Sequence, residues 1–166
     1  MSDFTGKKIW LFIVPVFIII VLFIVYTIYS QIEDYILSKD PVLLELKETF
    51  TKFFKSKKIW TGSLTKLNSK DIMSDISLFR GDKSYTINKE RVYMCLKDEN
   101  NEYYPISMLT YVLAHEISHV ICNSVGHTDE FNIIFEELLV ELTDAGIYDP
   151  SSPLLSDYCH SGDNLQ

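Results

Sequence analysis

The 166-residue chain contains one short run whose residue types and spacing suit metal chemistry, His115-Glu116-Ile117-Ser118-His119. On a helix, positions i and i+4 share a face about one turn apart, so both imidazoles can reach a single zinc ion. Glu116 projects about 100° around the helix from His115, where its carboxylate can take a proton from a zinc-activated water. A catalytic zinc uses three protein ligands and keeps a fourth position for water. His127 is the expected third ligand, because residues 120–126 suffice to end the helix and turn back, and Gly126 frees the backbone just before it. Three of the four histidines therefore define an expected Zn2+ site, with Glu116 as the catalytic base. Reading the histidines as ordinary core residues would leave Glu116 an unpaired carboxylate in an apolar helix, which is costly.

Other residues are alternatives at this stage. Glu130 competes with His127 as third ligand, and Tyr148 is a candidate donor to a tetrahedral intermediate. Glu136, Glu137 and Glu141 read as a solvated face from which one carboxylate could orient a ligand histidine. Cys159 and His160 read as surface residues, the alternatives being approach to the zinc or pairing of Cys159 with another cysteine. Three cysteines permit at most one intrachain bridge.

The elements that must hold these residues are legible from periodicity. Residues 106–122 follow Pro105 and are apolar on almost every side, through Met108, Leu109, Val112, Leu113, Ile117, Val120 and Ile121, which predicts a buried central helix. A second helix is predicted over 129–145, with Thr128 as N-cap, Asp129 and Glu130 favourable to the helix dipole, and Gly146 as the stop. Residues 58–64, 84–87 and 92–96 are strand candidates separated by Arg80-Gly81-Asp82 and Asn88-Lys89. Residues 41–58 place Leu43, Leu46, Phe50 and Phe53 at helical spacing with Lys47, Lys52 and Lys55 between them. That lysine-bearing face reads as solvated, with contact to anionic lipid headgroups as the alternative. The tail from residue 149 is rich in proline and serine and is expected along the surface.

Residues 9–29 are apolar throughout, and no charge falls between Lys8 and Glu33. Such a helix spans roughly 30 Å, the thickness of a bilayer's hydrocarbon core. A cleaved signal peptide would end in small residues, whereas this run continues into Tyr26, Thr27, Ile28 and Tyr29. Lys7 and Lys8 before it and Glu33 and Asp34 after it favour a cytoplasmic N-terminus, a bias thinned by Lys39 and Lys47. No glycosylation sequon is present, which would also suit a cytosolic domain. A net charge of -8, from 15 basic and 23 acidic side chains, argues against a surface built for nucleic acid. No Lys or Arg follows Lys97, so the catalytic helix is expected in acidic surroundings that favour a basic or neutral peptide.

The motif His115-Glu116-Ile117-Ser118-His119 with Tyr111 before it, then Gly126-His127-Thr128-Asp129-Glu130-Phe131, Leu138-Leu139 and Gly146-Ile147-Tyr148, resembles the WLM metallopeptidase domain. That domain is related to the SprT-like peptidases and also occurs in small membrane proteins of large DNA viruses. The resemblance covers about residues 59–148, its specific part 111–148. It implies a minimal gluzincin-like protease, in which His115, His119 and His127 match the zinc ligands and Glu116 matches the base. The seven residues between His119 and His127 exceed the yeast-type spacing. An apolar anchor stands in place of the DNA- or ubiquitin-binding tails, so proteins crosslinked to DNA are not the expected substrate.

The expected fold is α+β, an N-terminal transmembrane helix followed by a small zincin-like domain whose short sheet packs on the active-site helix. The expected divisions are an N-terminal tail (1–8), the transmembrane helix (9–29), an amphipathic linker helix (30–58), the zinc metallopeptidase domain (59–148) and a C-terminal tail (149–166). The expected partners are a protein or peptide substrate and the lipid bilayer, with nucleic acid disfavoured and the oligomeric state open. A single-pass protein of a membrane is implied, of virion or host if the source is viral. The alternative is a non-catalytic anchored adaptor with a structural zinc, in which a residue such as Cys159 fills the fourth position.

Overall fold

In the computed structural model, which describes residues 3–155 and 158–160, the chain forms two units, Met1–Ile36 and Leu37–Gln166. Among the described residues the first is all but the last residue of helix α1, Asp3–Leu37, which accommodates Pro15 without a break. Its 28-residue apolar stretch, Trp10–Leu37, reaches about 42 Å at 1.5 Å per residue. That is long and apolar enough to cross a membrane, although a signal sequence near the N-terminus shares both properties. The helix runs beyond residue 29, the expected end of the span, because the charges at Glu33 and Asp34 do not interrupt helical hydrogen bonding.

The second unit begins with α2, Pro41–Ser56. Asp40 caps it by accepting from the Val42 N–H at 3.1 Å, and Pro41 occupies the first turn, where its missing N–H costs nothing. The residues at helical spacing, Leu43, Leu46, Phe50 and Phe53, all enter the hydrophobic core. The stretch expected as a linker helix thus contributes residues 41–56 to the packed unit itself.

Residues 58–64 do not form the expected strand. A 3-10 helix, Gly62–Asn68, begins there, and Trp60 is drawn into an aromatic cluster with Phe53 and Phe54, each 5.6 Å away between ring centroids. Gly62 has φ +61, and a Cβ on it would lie 2.8 Å from the Glu137 carboxylate, so neither backbone nor space suits an extended side-chain-bearing residue. A single turn, α3 (Ile72–Asp75), then leads into β1, Ser77–Arg80, a strand not anticipated because four residues carry too little alternation to register.

The sheet has three strands in the order β1-β3-β2, with β2 spanning Tyr85–Ile87 and β3 spanning Arg91–Met94. Strand β3 is central, parallel to β1 and antiparallel to β2, with Thr86 opposite Val92. Helix α4, Ile106–Ile121, contacts β2, β3 and α5, and twelve of its residues are buried. Helix α5, Asp129–Asp144, starts at Thr128, whose hydroxyl accepts from the Phe131 N–H, and ends before Gly146. The unit is therefore α+β with a small sheet against an apolar helix.

The tail departs from its expected surface course. Tyr158 and Cys159 are buried, and Cys159 is disulfide-bonded to Cys95, while Cys122 is free and buried. Tyr158 donates to the Cys95 carbonyl at 2.6 Å, so its bond to Ser84 Oγ at 2.7 Å has the serine as donor. The Cys159 N–H donates to the Tyr104 hydroxyl at 2.9 Å. The side chain of His160 lies outside the described residues.

Phe50 is 0% exposed and Leu44, on the same helix, 44%. Phe50→Ala should destabilise the second unit by about 3–5 kcal/mol, and Leu44→Ala by less than about 1 kcal/mol, in denaturant unfolding of the chain in detergent. Equal losses would contradict the way α2 is packed.

Candidate metal centre

Helix α4 presents His115 and His119 one turn apart, and the loop after it returns His127 to the same place. Their donor nitrogens all lie within 4.8 Å of one another, and His115 Nε2 is 3.1 Å from His127 Nε2. A tetrahedral zinc with bonds of about 2.0–2.1 Å separates its nitrogens by about 3.3 Å, so that pair already meets the requirement. Imidazole donors suit zinc, and closing the full triangle needs side-chain shifts of at most about 1.5 Å.

The three rings pack around Phe131. Its ring stacks on His119 at 4.2 Å and lies 4.9 Å from both His115 and His127. Phe135 adds an edge contact to His115 at 5.2 Å. An aromatic wedge on α5 thus restricts imidazoles that come from α4 and the loop. Burial first, then the neighbouring imidazoles, hold His115 down to about 3; burial, His127 and Lys89 hold His119 down to about 4. Both are neutral at pH 7, the form in which histidine ligates metal.

Glu116 is 5% exposed, and burial pushes its carboxyl up to about 7 against the opposing effect of a hydrogen bond from Thr86. It opens onto a cavity of about 480 Å³ bordered by His115, His119, His127, Thr86, Tyr85 and Lys89 among others. Strand β2 forms one wall and the loop Ser124, Val125 and Gly126 another. The four expected site residues therefore meet at one opening.

The alternatives resolve differently. Glu130 does not face the metal position: its carboxylate accepts from Ser124 Oγ at 2.8 Å, from the Asn123 backbone and side-chain N–H groups at 3.2 and 2.9 Å, and from Lys66 Nζ at 3.4 Å. It ties down the loop that delivers His127, and Gly126, at φ +84, makes the final turn. Glu137 accepts from the Ser63 N–H at 2.8 Å, and Glu141 pairs with Lys57, so both brace α5 against the segment around Gly62. Glu136 and Tyr148 line a separate groove on α5, where the Tyr148 ring lies 6.0 Å from that of Tyr111. Cys159 is engaged in its disulfide.

The acidic surroundings expected for α4 are corrected. Lys89 Nζ donates to the carbonyls of Cys122 and Asn123, and Lys66 Nζ to that of Ile121 at 3.1 Å. Two cations from earlier in the chain thus sit where α4 ends and its dipole is negative. Lys89 itself borders the cavity, so the acidic-surroundings argument for a basic or neutral peptide does not carry over to this opening. Thr86 and Lys89 were legible only as a strand residue and a turn residue. The Tyr85-Thr86-Ile87 alternation by itself would turn Thr86 outward; in the structure Tyr85 and Ile87 are the exposed pair and Thr86 is half-buried.

No protein-family profile matches the chain, and no solved structure matches it. Over 109 residues, 64% of its length, it is 42% identical to uncharacterized protein 136R of Invertebrate iridescent virus 6. Over 99 residues, 59% of its length, it is 36% identical to uncharacterized protein 042R of Invertebrate iridescent virus 3. A shorter similarity, 33% over 67 residues, links it to uncharacterized protein R325 of Acanthamoeba polyphaga mimivirus, covering 39% of this chain and 34% of that protein. The matches to the two iridescent-virus proteins span about three fifths of each.

The Ser124 hydroxyl and the Asn123 N–H, aided by Lys66, hold Glu130 down to about 2. A carboxyl depressed in the folded state stabilises above its unfolded value of 4.5 and loses that contribution as pH falls toward about 2. The gap in thermal midpoint between the native chain and Glu130→Gln should therefore narrow from about pH 5 to about pH 3. A gap independent of pH would show that Glu130 does not brace this loop as a carboxylate.

Proposed function

We propose that the chain is a membrane-anchored zinc-dependent metallopeptidase of the WLM or SprT-like kind, with a zincin-like second unit. The observation that carries this reading is the convergence of His115, His119 and His127 beside the buried Glu116 at an open cavity. Zinc, when bound, would polarise the scissile carbonyl and acidify a water. Glu116 would accept a proton from such a water and pass it to the leaving amine, a role its place beside the three histidines at the cavity suits. Strand β2 supports a peptide substrate, since it is a sheet edge bordering the cavity and its outer backbone groups can pair with an extended chain.

A purely structural zinc is less well supported. It would need a fourth protein donor, and among the described residues the group of possible ligands is the three histidines alone. Cys159, the sequence candidate for that place, is bonded to Cys95.

In the purified chain, Glu116→Gln should retain zinc and lower turnover of an unstructured protein substrate by about 10²–10⁴-fold, whereas His127→Ala should lose zinc as well. An unaffected rate in Glu116→Gln would sink the assignment.

For the anchor we infer a cytoplasmic N-terminus, with the residues after the span on the far side of the membrane. Lys7 and Lys8 against Glu33 and Asp34 support that orientation, and so does the Cys95–Cys159 disulfide, because such bonds persist in oxidising compartments. With three cysteines in the chain, a maleimide polymer added to the denatured, unreduced protein should label one thiol, and three after reduction. Three labelled thiols before reduction would place the unit on the reducing side.

A further inference from the structure

Glu116 lies in a helix whose own N–H groups are engaged in helical bonds, so its carboxylate must find a donor elsewhere. Among the described residues that donor is Thr86, whose hydroxyl lies 2.6 Å from Glu116 Oε2 and 3.3 Å from the Glu116 carbonyl. Thr86 sits in the middle of the three-residue edge strand β2, and its position is fixed from two sides. Across the sheet it pairs with Val92, a fully buried residue of the central strand. Along the chain, Ser84 is bonded to the buried Tyr158 at 2.7 Å and accepts from the Cys95 N–H at 3.0 Å. A hydroxyl held this way engages Oε2, and not Oε1, of a side chain that lines the cavity.

We propose that Thr86 is the positioning residue of the site: by holding Oε2 of Glu116 it selects the carboxylate rotamer in which Oε1 faces the water to be deprotonated. The proposal rests on the reading of Glu116 as the base. Thr86 is not one of the three grouped nitrogen donors, and its hydroxyl is engaged by Glu116. Its effect belongs in the proton-transfer step and leaves substrate binding alone, and a hydroxyl on any side chain of similar reach performs it. Among partners that orient a reacting group, losses of about 10–100-fold are usual.

The test compares the full chain, zinc-loaded in detergent micelles, with Thr86→Val and Thr86→Ser, using Glu116→Gln as the reference for a lost base. Valine keeps the β-branched shape and removes only the hydroxyl. We expect Thr86→Val to lower kcat about 10–100-fold with KM and zinc content unchanged, and Thr86→Ser to recover to within about threefold of the native rate. Unchanged kcat in Thr86→Val, or a loss that serine does not repair, overturns the proposal. A second readout needs no activity: in the metal-free chain, Thr86→Val should lower the thermal midpoint by about 2–8 °C, but not when Glu116→Leu is already present. Additive shifts overturn the coupling. If the native chain turns over no peptide, the proposed function fails by itself, and the unfolding cycle still decides whether Thr86 holds Glu116.

Discussion

Burying a carboxylate in an apolar helix creates a demand that the helix cannot meet, because every backbone N–H within reach is already bonded to a carbonyl four residues back. At Glu116 the demand is met from the sheet, through the hydroxyl of Thr86. Much of the second unit follows from this. Strand β2 has to lie close enough to α4 for a short side chain to reach across, and the central strand, β3, holds β2 in the sheet. The third side of the arrangement is the tail, where Tyr158 fastens the residue just before β2.

The far end of α4 presents a second electrostatic problem with a local solution. A helix that stops at Ile121 leaves carbonyls pointing toward the loop, and Lys66 and Lys89 take up those of Ile121, Cys122 and Asn123. Glu130 then gathers the loop's donors with Lys66, so the cation and the anion that organise the end of α4 also set the path to His127. Phe131, one residue on, wedges the imidazoles. The N-terminus of α5 thus fixes both the loop and the rings, which explains why the donors converge although they come from separate segments.

What sequence reveals here is whatever acts over one or two turns of chain. The span of α4, its burial on nearly all sides, the Thr128 cap and the stop at Gly146 follow from periodicity and capping chemistry, and the structure places them within a residue of expectation. The i and i+4 histidines are legible for the same reason, and His127 because a short loop limits where it can go. Apart from β1, which is too short to show alternation, the misreadings turn on tertiary partners. Residues 58–64 look like a strand until Glu137 and the Phe53–Phe54 pair claim them, and Cys159 looks like surface until Cys95 is beside it. The electrostatic expectation failed likewise, since a count of charges along the chain cannot see Lys66 and Lys89 folded against a helix thirty or more residues later.

The Cys95–Cys159 bond spans 64 positions and encloses both α4 and α5. Chains are made from the N-terminus onward and segments fold as they emerge. All three histidines and Glu116 therefore leave the ribosome before the residue that closes this loop. Until Cys159 and its neighbour Tyr158 arrive, a nascent unit holds every donor of the site while the start of β2 lacks the hydroxyl that fastens it. Assembly is in this sense ordered in time: the three imidazoles come first, and the strand that carries the Thr86–Glu116 contact is fastened by a residue synthesised after both helices.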